Sequence, residues 1–320
     1  MPDISLTLGF NPAPNTQALF DRTVQPKGIE LHLQSQFGEG LDNVGARHRS
    51  IIKGEINGGE LSISSFILAR LRGVKLRALP VFLSRRFRLR CMHCRADAPL
   101  HHPSELAGKK VTVHRYNATT PVWLKGILQN EYGVKPHDVE WFVAEPDIAE
   151  EALHAPPPEI RVRFISPPRT REHAIELLEQ GEINAALEPY PALASNPKLR
   201  HLIRDYRKAE EDYFRRTGTF TINHLFALRE DSAEAHPWAV ESLLTAFRQA
   251  EAAADRYRNE KQKAEAAWER KVMGEDFSYS LKKGCARRSL ATLIEYQIQQ
   301  GILDERPDIE SLFFPEALDL

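Results

Sequence analysis

The residues best suited to chemistry sit where apolar runs give way to helical patterns. Ser62 with Ser64 and Ser65 follows one such run, and Thr119 with Thr120 follows another. The unpaired backbone N–H groups of a helix's first turn, together with the positive end of its dipole, attract anions. Hydroxyls at these positions either cap the helix through the same N–H groups or, as a pair of openings from two domains, grip a small carboxylate. Ligands in open α/β sheets sit beyond the carboxyl ends of the strands, where both openings are expected.

A second constellation, Cys91-Met92-His93-Cys94, collects ligand-type side chains but lacks a second Cys or Cys/His pair at zinc-finger spacing. In an extended segment Cys91 and His93 point one way and Cys94 the other, which disperses a metal site. The plainer reading is a pair of buried strand cysteines. His101 and His102 precede a proline and read as solvated. Gly38-Glu39-Gly40 lacks the third glycine of a dinucleotide loop, and no Gly-Lys-Ser/Thr follows a strand. Neither His-Glu-x-x-His nor Gly-x-Ser-x-Gly occurs. This reading assigns no cofactor and no metal.

Alternation of Ile4, Leu6 and Leu8 up to Gly9 predicts a strand, followed by a short helix capped by Thr16 and a strand through Ile29, Leu31 and Leu33. A helix is expected over 44–52, a short strand over 61–63 and an apolar helix opened by Ser64-Ser65 and closed by Gly73. Residues 76–83 and 87–94 read as extended. A helical turn at 104–108 precedes a strand over 111–113. Thr120 is the expected cap, and Pro121 the first residue, of a helix running to Tyr132. A strand over 139–143, a loop at Pro156–Pro158, a helix from Thr170 to Gln180 ended by Gly181, and a strand over 183–187 follow. This alternation indicates an α/β chain with parallel pairing. Beyond Leu202 the strand signal thins to one run over 219–228. From His236 the pattern is helical, with Val240, Leu243, Leu244 and Phe247 on one face and a charged, alanine-rich stretch over 250–271 that reads as a solvated amphipathic helix. No internal repeat is present.

The chain has 320 residues, with 43 Lys+Arg against 44 Asp+Glu, a balance that excludes the basic surplus of a generic nucleic-acid binder. At 42% hydrophobic and 27% charged it reads as globular rather than disordered. The length suits two domains or one large one. Three cysteines, Cys91, Cys94 and Cys285, are too few for a disulfide framework and point to a reducing compartment. The first residues carry no basic n-region, and no run approaches the roughly 18 apolar residues of a membrane span. The expectation is a cytoplasmic protein whose partner is a small carboxylate, with neither nucleic acid nor membrane; a homo-oligomer is compatible with all of this.

Several blocks resemble successive segments of the 4,5-dihydroxyphthalate decarboxylase family. They are Gln25-Pro26-Lys27-Gly28-Ile29-Glu30-Leu31, Glu60-Leu61-Ser62-Ile63-Ser64-Ser65-Phe66, and Leu79-Pro80-Val81-Phe82-Leu83-Ser84-Arg85 with Phe87-Arg88. The most specific runs from Trp123 to Val134. Gly181 to Ala185, Thr217 to His224 and Met273 to Phe277 complete the order. The resemblance implies the α/β fold of type II periplasmic binding proteins, two lobes with a ligand cleft between them. The first lobe is expected from residues 1–98 plus 216–320 and the second from 99–215. It also implies a lyase. The missing export signal favours an intracellular enzyme; a cytoplasmic solute-binding or sensory protein of the same fold is the alternative.

Cofactor-independent decarboxylation of a hydroxylated aromatic acid needs an acid near the ring carbon, a grip on the carboxylate and help for phenol ionisation. His224 is the expected proton donor, with a core hydrogen-bonded histidine as the alternative, and Glu60 its partner or else a hinge carboxylate. Arg85, Arg86 and Arg88 follow a strand, and any one can hold a carboxylate bidentately. Arg115 and Tyr116, ahead of Thr119-Thr120, are the counterparts in the second lobe. Trp123 either walls an aromatic ring or fills a core. The chain departs from the family where Pro14-Asn15-Thr16 replaces Asp-Arg-Thr, Leu89 replaces a histidine, and His114-Arg115 replaces Pro-Glu. A related but different small aromatic or heterocyclic acid is therefore the expected substrate.

Overall fold

The computed structural model describes residues 3–37, 43–144, 157–274, 279–282 and 284–318. Gly38 and Gly40, Pro156, and Glu275-Asp276-Phe277 of the last family block lie outside the described residues. The chain divides into two compact units, one of Met1–Arg85, Ile222–Leu290 and Pro307–Leu320, the other of Arg86–Thr221 and Ala291–Arg306. The divisions expected after residues 98 and 215 thus fall after Arg85 and Thr221, and residues 291–306, expected in the first lobe, belong to the second unit.

The first unit holds a five-stranded sheet of β1 (Ile4–Gly9), β2 (Ile29–Gln34), β3 (Gly58–Ser62), β4 (Leu76–Arg85) and, from the later chain, β11 (Ile222–Arg229), in the order β2-β1-β3-β11-β4. β1 runs parallel to β2 and β3, whereas β11 enters antiparallel between β3 and β4. Gly59 permits this packing. Its φ is +156°, and a Cβ there would lie 2.1 Å from the Gly9 carbonyl oxygen, so any side chain would push β3 off β1. Phe10, Phe226 and Phe247 pack as one aromatic cluster, with ring centroids 4.8 to 6.4 Å apart. Pro80 has no N–H for a ladder, and it lies where the register slips. His224 pairs with Ser84 and Phe226 with Leu79, so four β4 residues stand against one of β11.

The second unit holds β5 (Met92–Arg95), β6 (Lys110–Val113), β7 (Glu140–Val143), β8 (Arg161–Phe164), β9 (Ala185–Leu187) and β10 (Leu199–His201), ordered β10-β5-β9-β6-β7-β8. β9, β6, β7 and β8 are parallel, and β5 is antiparallel to both its neighbours.

Several expectations shift for local reasons. The helix after β3 starts at Ile63, not Ser64, with Ser62 as its N-cap, and Ser64 and Ser65 fall inside its first turn. The helix Thr119–Tyr132 is capped by Ala118 rather than Thr120, which places Pro121 third; the first-turn N–H groups have no intrahelical acceptor, so nothing is lost. Residues 87–94 are not one extended run. Leu89–Cys91 is a 3₁₀ turn wound on the buried Glu210 carboxylate, which accepts the Arg90 backbone N–H at 3.1 Å and its guanidinium at 2.9 Å. The stretch 250–271 is not one helix: Trp238–Ala252 ends there, and Glu260–Met273 starts anew from an Asn259–Gln262 capping box with no buried residue.

Candidate active site

The site builds up from a strand register. In the β3–β11 ladder Ser62 faces His224 and Glu60 faces Phe226. Glu60 and His224 are therefore diagonal neighbours, a spacing that long side chains bridge. His224 Nδ1 donates to Glu60 Oε1 at 2.7 Å, and the other carboxylate oxygen lies 2.9 Å from Arg47 Nη2. Arg47 comes from the helix Asn43–Lys53, and its side chain is 1% exposed against 12% for Glu60 and 22% for His224. The next residue, His48, receives the Ser62 backbone N–H on Nε2 at 3.3 Å, and its ring stands edge-on to that of His224 at 5.8 Å between centroids. An accepting Nε2 puts the ring proton of neutral His48 on Nδ1.

Burial is the largest influence on Glu60 and by itself would raise its pKa. The charge of Arg47 and the charge and hydrogen bond of His224, with the smallest contribution from His48, together outweigh burial and bring the carboxyl from 4.5 down to about 2. An ionised Glu60 can only accept, so His224 presents Nδ1–H to it and keeps Nε2 for proton exchange.

The other expected residues of the first unit are placed less openly. Ser62 makes no side-chain capping bond, and Ser64 and Ser65 are fully buried. Arg85 ends β4 with Nη2 3.3 Å from Glu251 and its guanidinium 5.1 Å from the Tyr279 ring centre, and Tyr279 donates its hydroxyl to the same Glu251. Arg85 is thus engaged in a local network.

In the second unit Arg86 is exposed, whereas Arg88 is buried, and that burial lowers its pKa against the raising effect of Cys91. Arg115, Tyr116, Thr119 and Thr120 follow β6 and are all buried. Lys125 donates to the Tyr116 carbonyl at 2.8 Å and sits over its ring. Trp123 has no exposed surface and packs edge-on to Tyr296 at 5.7 Å, so it fills the core rather than walling a ligand. Extending the parallel β6–β9 register by two residues sets His114 beside Glu188, and their nearest ring nitrogen and carboxylate oxygen are 3.2 Å apart. Cys91 lies in the 3₁₀ turn, with His93 and Cys94 in β5; among the described residues no group of three or more His, Cys, Asp or Glu is placed to hold a metal ion. Nor, among them, is any helix long and apolar enough to cross a membrane.

A cavity of about 370 Å³ in the first unit, lined by Thr7, Asn57, Arg229, Asp231 and neighbours, opens at the other end of β3 and β11. It does not contain the Glu60–His224 pair.

No protein-family model matches the chain. A Comamonas testosteroni protein named 4,5-dihydroxyphthalate decarboxylase is 27% identical over 344 residues, covering 100% of this chain and 99% of the relative. The chain is similar to that decarboxylase from end to end. A Pseudomonas putida protein of the same name is 28% identical over 222 residues, covering 67% of this chain and 83% of the relative. Among solved structures, the periplasmic aliphatic sulphonate binding protein SsuA from Escherichia coli superposes with a TM-score of 0.55 at 14% identity, over 98% of this chain and 92% of that one. The fold is that of the type II periplasmic binding proteins, as the resemblance implied.

Beside the decarboxylase resemblance, the structure adds residues that the sequence reading passed over. Arg47 and His48 stand four residues before Ile51 and Ile52, on the buried stripe of an amphipathic helix. A charge and an imidazole in an apolar stripe were the available signal. Glu188 and Lys125 carried no such mark, because their burial follows from sheet register and from a loop carbonyl respectively.

Proposed function

We propose that this chain is a cofactor-independent decarboxylase of a small hydroxylated aromatic carboxylic acid, related to 4,5-dihydroxyphthalate but not necessarily that compound. Similarity to a decarboxylase along the whole chain supports the reaction class, and the observation that carries the mechanism is the 2.7 Å His224–Glu60 pair. Electron density from an ortho or para hydroxyl loads the ring carbon that bears the carboxylate, and that carbon takes the proton from Nε2 of a doubly protonated His224. The bond to the carboxylate then breaks, its electron pair restores the aromatic ring, and CO2 leaves. Glu60, ionised throughout, stabilises the imidazolium before transfer and keeps the ring oriented after it. Carboxylate binding beside His224 is assigned to the N-terminal turn that follows Ser62 in the first unit.

The experiment is CO2 release by the purified protein against a panel of hydroxylated aromatic carboxylates. At least one member is expected to turn over without added cofactor. The fold of a sulphonate-binding protein favours a second reading, ligand capture without chemistry. Panel members that raise the melting temperature yet yield no product would establish that reading and sink the first.

A further inference from the structure

We infer that Arg47 is a positioning residue of the Glu60–His224 pair: it holds Glu60 as the carboxylate, so that the exchangeable proton of the pair resides on His224 and Nε2 becomes the reacting atom. The kinetic part of this inference rests on the decarboxylase reading; the ionisation part does not.

Two features single Arg47 out. Its side chain is 1% exposed, a placement that a guanidinium tolerates only against a fixed counter-charge. It also takes the carboxylate oxygen that His224 leaves, so Glu60 is bound through both oxygens, one to each partner. Without that cation, a buried carboxylate beside an imidazolium has a second stable arrangement: both neutral, with the proton on Glu60. In that arrangement His224 offers the substrate no proton from a charged ring. The groups around His224 within this unit are Glu60 from β3 and Arg47 and His48 from the helix, with Ser84 opposite on β4 and Arg85 beyond it, engaged with Glu251. His48 already receives the Ser62 N–H on Nε2, which opposes its protonation. Among these described residues Arg47 is the fixed cation that meets Glu60.

The test is the titration of Glu60 by ¹³C NMR of its carboxyl in the ligand-free, full-length protein, compared across wild type, Arg47→Met and Arg47→Lys. Loss of the cation lets Glu60 take the proton of the pair, so in Arg47→Met the Glu60 midpoint should rise from about 2 by at least about one pH unit, a tenfold change in its protonation constant. Arg47→Lys keeps the charge and should return the midpoint to near the wild-type value. A folded Arg47→Met in which Glu60 titrates unchanged, or an Arg47→Lys that shifts as far, would assign Arg47 a packing role and overturn the inference. Where Arg47→Met does not fold, the carboxyl ¹³C signal of Glu60 in the wild type decides. Ionisation persisting down to about pH 3 supports the inference, and protonation in the ordinary range of about pH 4–5 ends it. Because these readouts need no substrate, they stand if no panel member is decarboxylated. With an active panel member, Arg47→Met is expected to lower kcat at least tenfold and Arg47→Lys to restore it to within about threefold, which a purely structural defect would not do.

Discussion

The two units partner histidine in opposite ways. In the first, His224 donates to a carboxylate that a buried arginine also holds, and Glu60 stays charged despite its burial. In the second, His93 lies directly across the β5–β10 ladder from His201, with ring centroids 4.7 Å apart, and is 3% exposed. There burial first, and the neighbouring imidazole second, push His93 from 6.5 down to about 4. A carboxylate partner stabilises an imidazolium; a second imidazole opposes one. On the proposed function, acid–base work falls to the β3–β11 pair and packing to the Cys91–Cys94 segment, although both segments offered a histidine beside other reactive residue types.

The widest separation between the regions should come from His224→Ala. It is expected to lower kcat by about 10²–10⁴-fold, the usual contribution of a positioned general acid, while a binding panel member still raises the melting temperature. His93→Phe should leave kcat within about twofold. Equal losses from the two substitutions would erase the functional contrast. A smaller effect is expected from Glu60→Leu, which strips Arg47 of its counter-charge. Removing one partner of a buried pair costs about 3–5 kcal/mol, to be read from urea denaturation, and adding Arg47→Met should recover most of it. A loss below about 1 kcal/mol in the single variant would mean that Arg47 finds water, and that the first unit does not bury its charge as described.

The contrast between the two histidines was only half legible in the sequence. Alternation at Ile4, Leu6 and Leu8, the glycine after Gln180 and the Val240–Phe247 face all led to the right elements, because each exposes one face and buries the other. The strands Arg161–Phe164 and Leu199–His201 were missed. Both lie at sheet edges, where charged residues occupy alternate positions and the apolar signal is two residues or fewer. The helix Tyr206–Thr217 was missed because it buries only Glu210 and Tyr213, leaving no stripe to read. Of the site, His224 and Glu60 could be named from residue type and resemblance. Their meeting depends on β11 entering between β3 and β4, which brings His224 back to Glu60 across 164 residues of chain, and the role of Arg47 depends on that meeting in turn. Pairings of that kind are set by tertiary register, which local periodicity does not encode.

The smallest effects, and the finest test of the comparison, lie in acid. His93 has a folded pKa of about 4 against an ordinary 6.5, so its neutral form favours the folded state; that contribution is complete above about pH 6.5 and is lost as the pH falls toward 4. Glu60, at about 2 against 4.5, behaves in the other sense: its contribution is complete above pH 4.5 and declines only as the pH falls toward 2. Between pH 6.5 and 4.5 the loss should therefore fall on the second unit alone, approaching about 3 kcal/mol at the lower end of the His93 titration. Amide exchange resolved by segment reads this directly, with β5 and β10 losing protection while β3 and β11 keep theirs. His93→Phe should abolish the difference. His201→Gln removes the opposing imidazole while its amide can still bond the Arg90 carbonyl that His201 Nδ1 meets at 2.8 Å; it should shrink the acid loss only in part, since burial is the larger cause of the lowered His93 pKa and the neighbouring ring the smaller. If β3 and β11 instead open first, at pH 5 to 6, then the charge of Glu60 is not held by its partners, and the opposition between the two units is wrong at its stronger end.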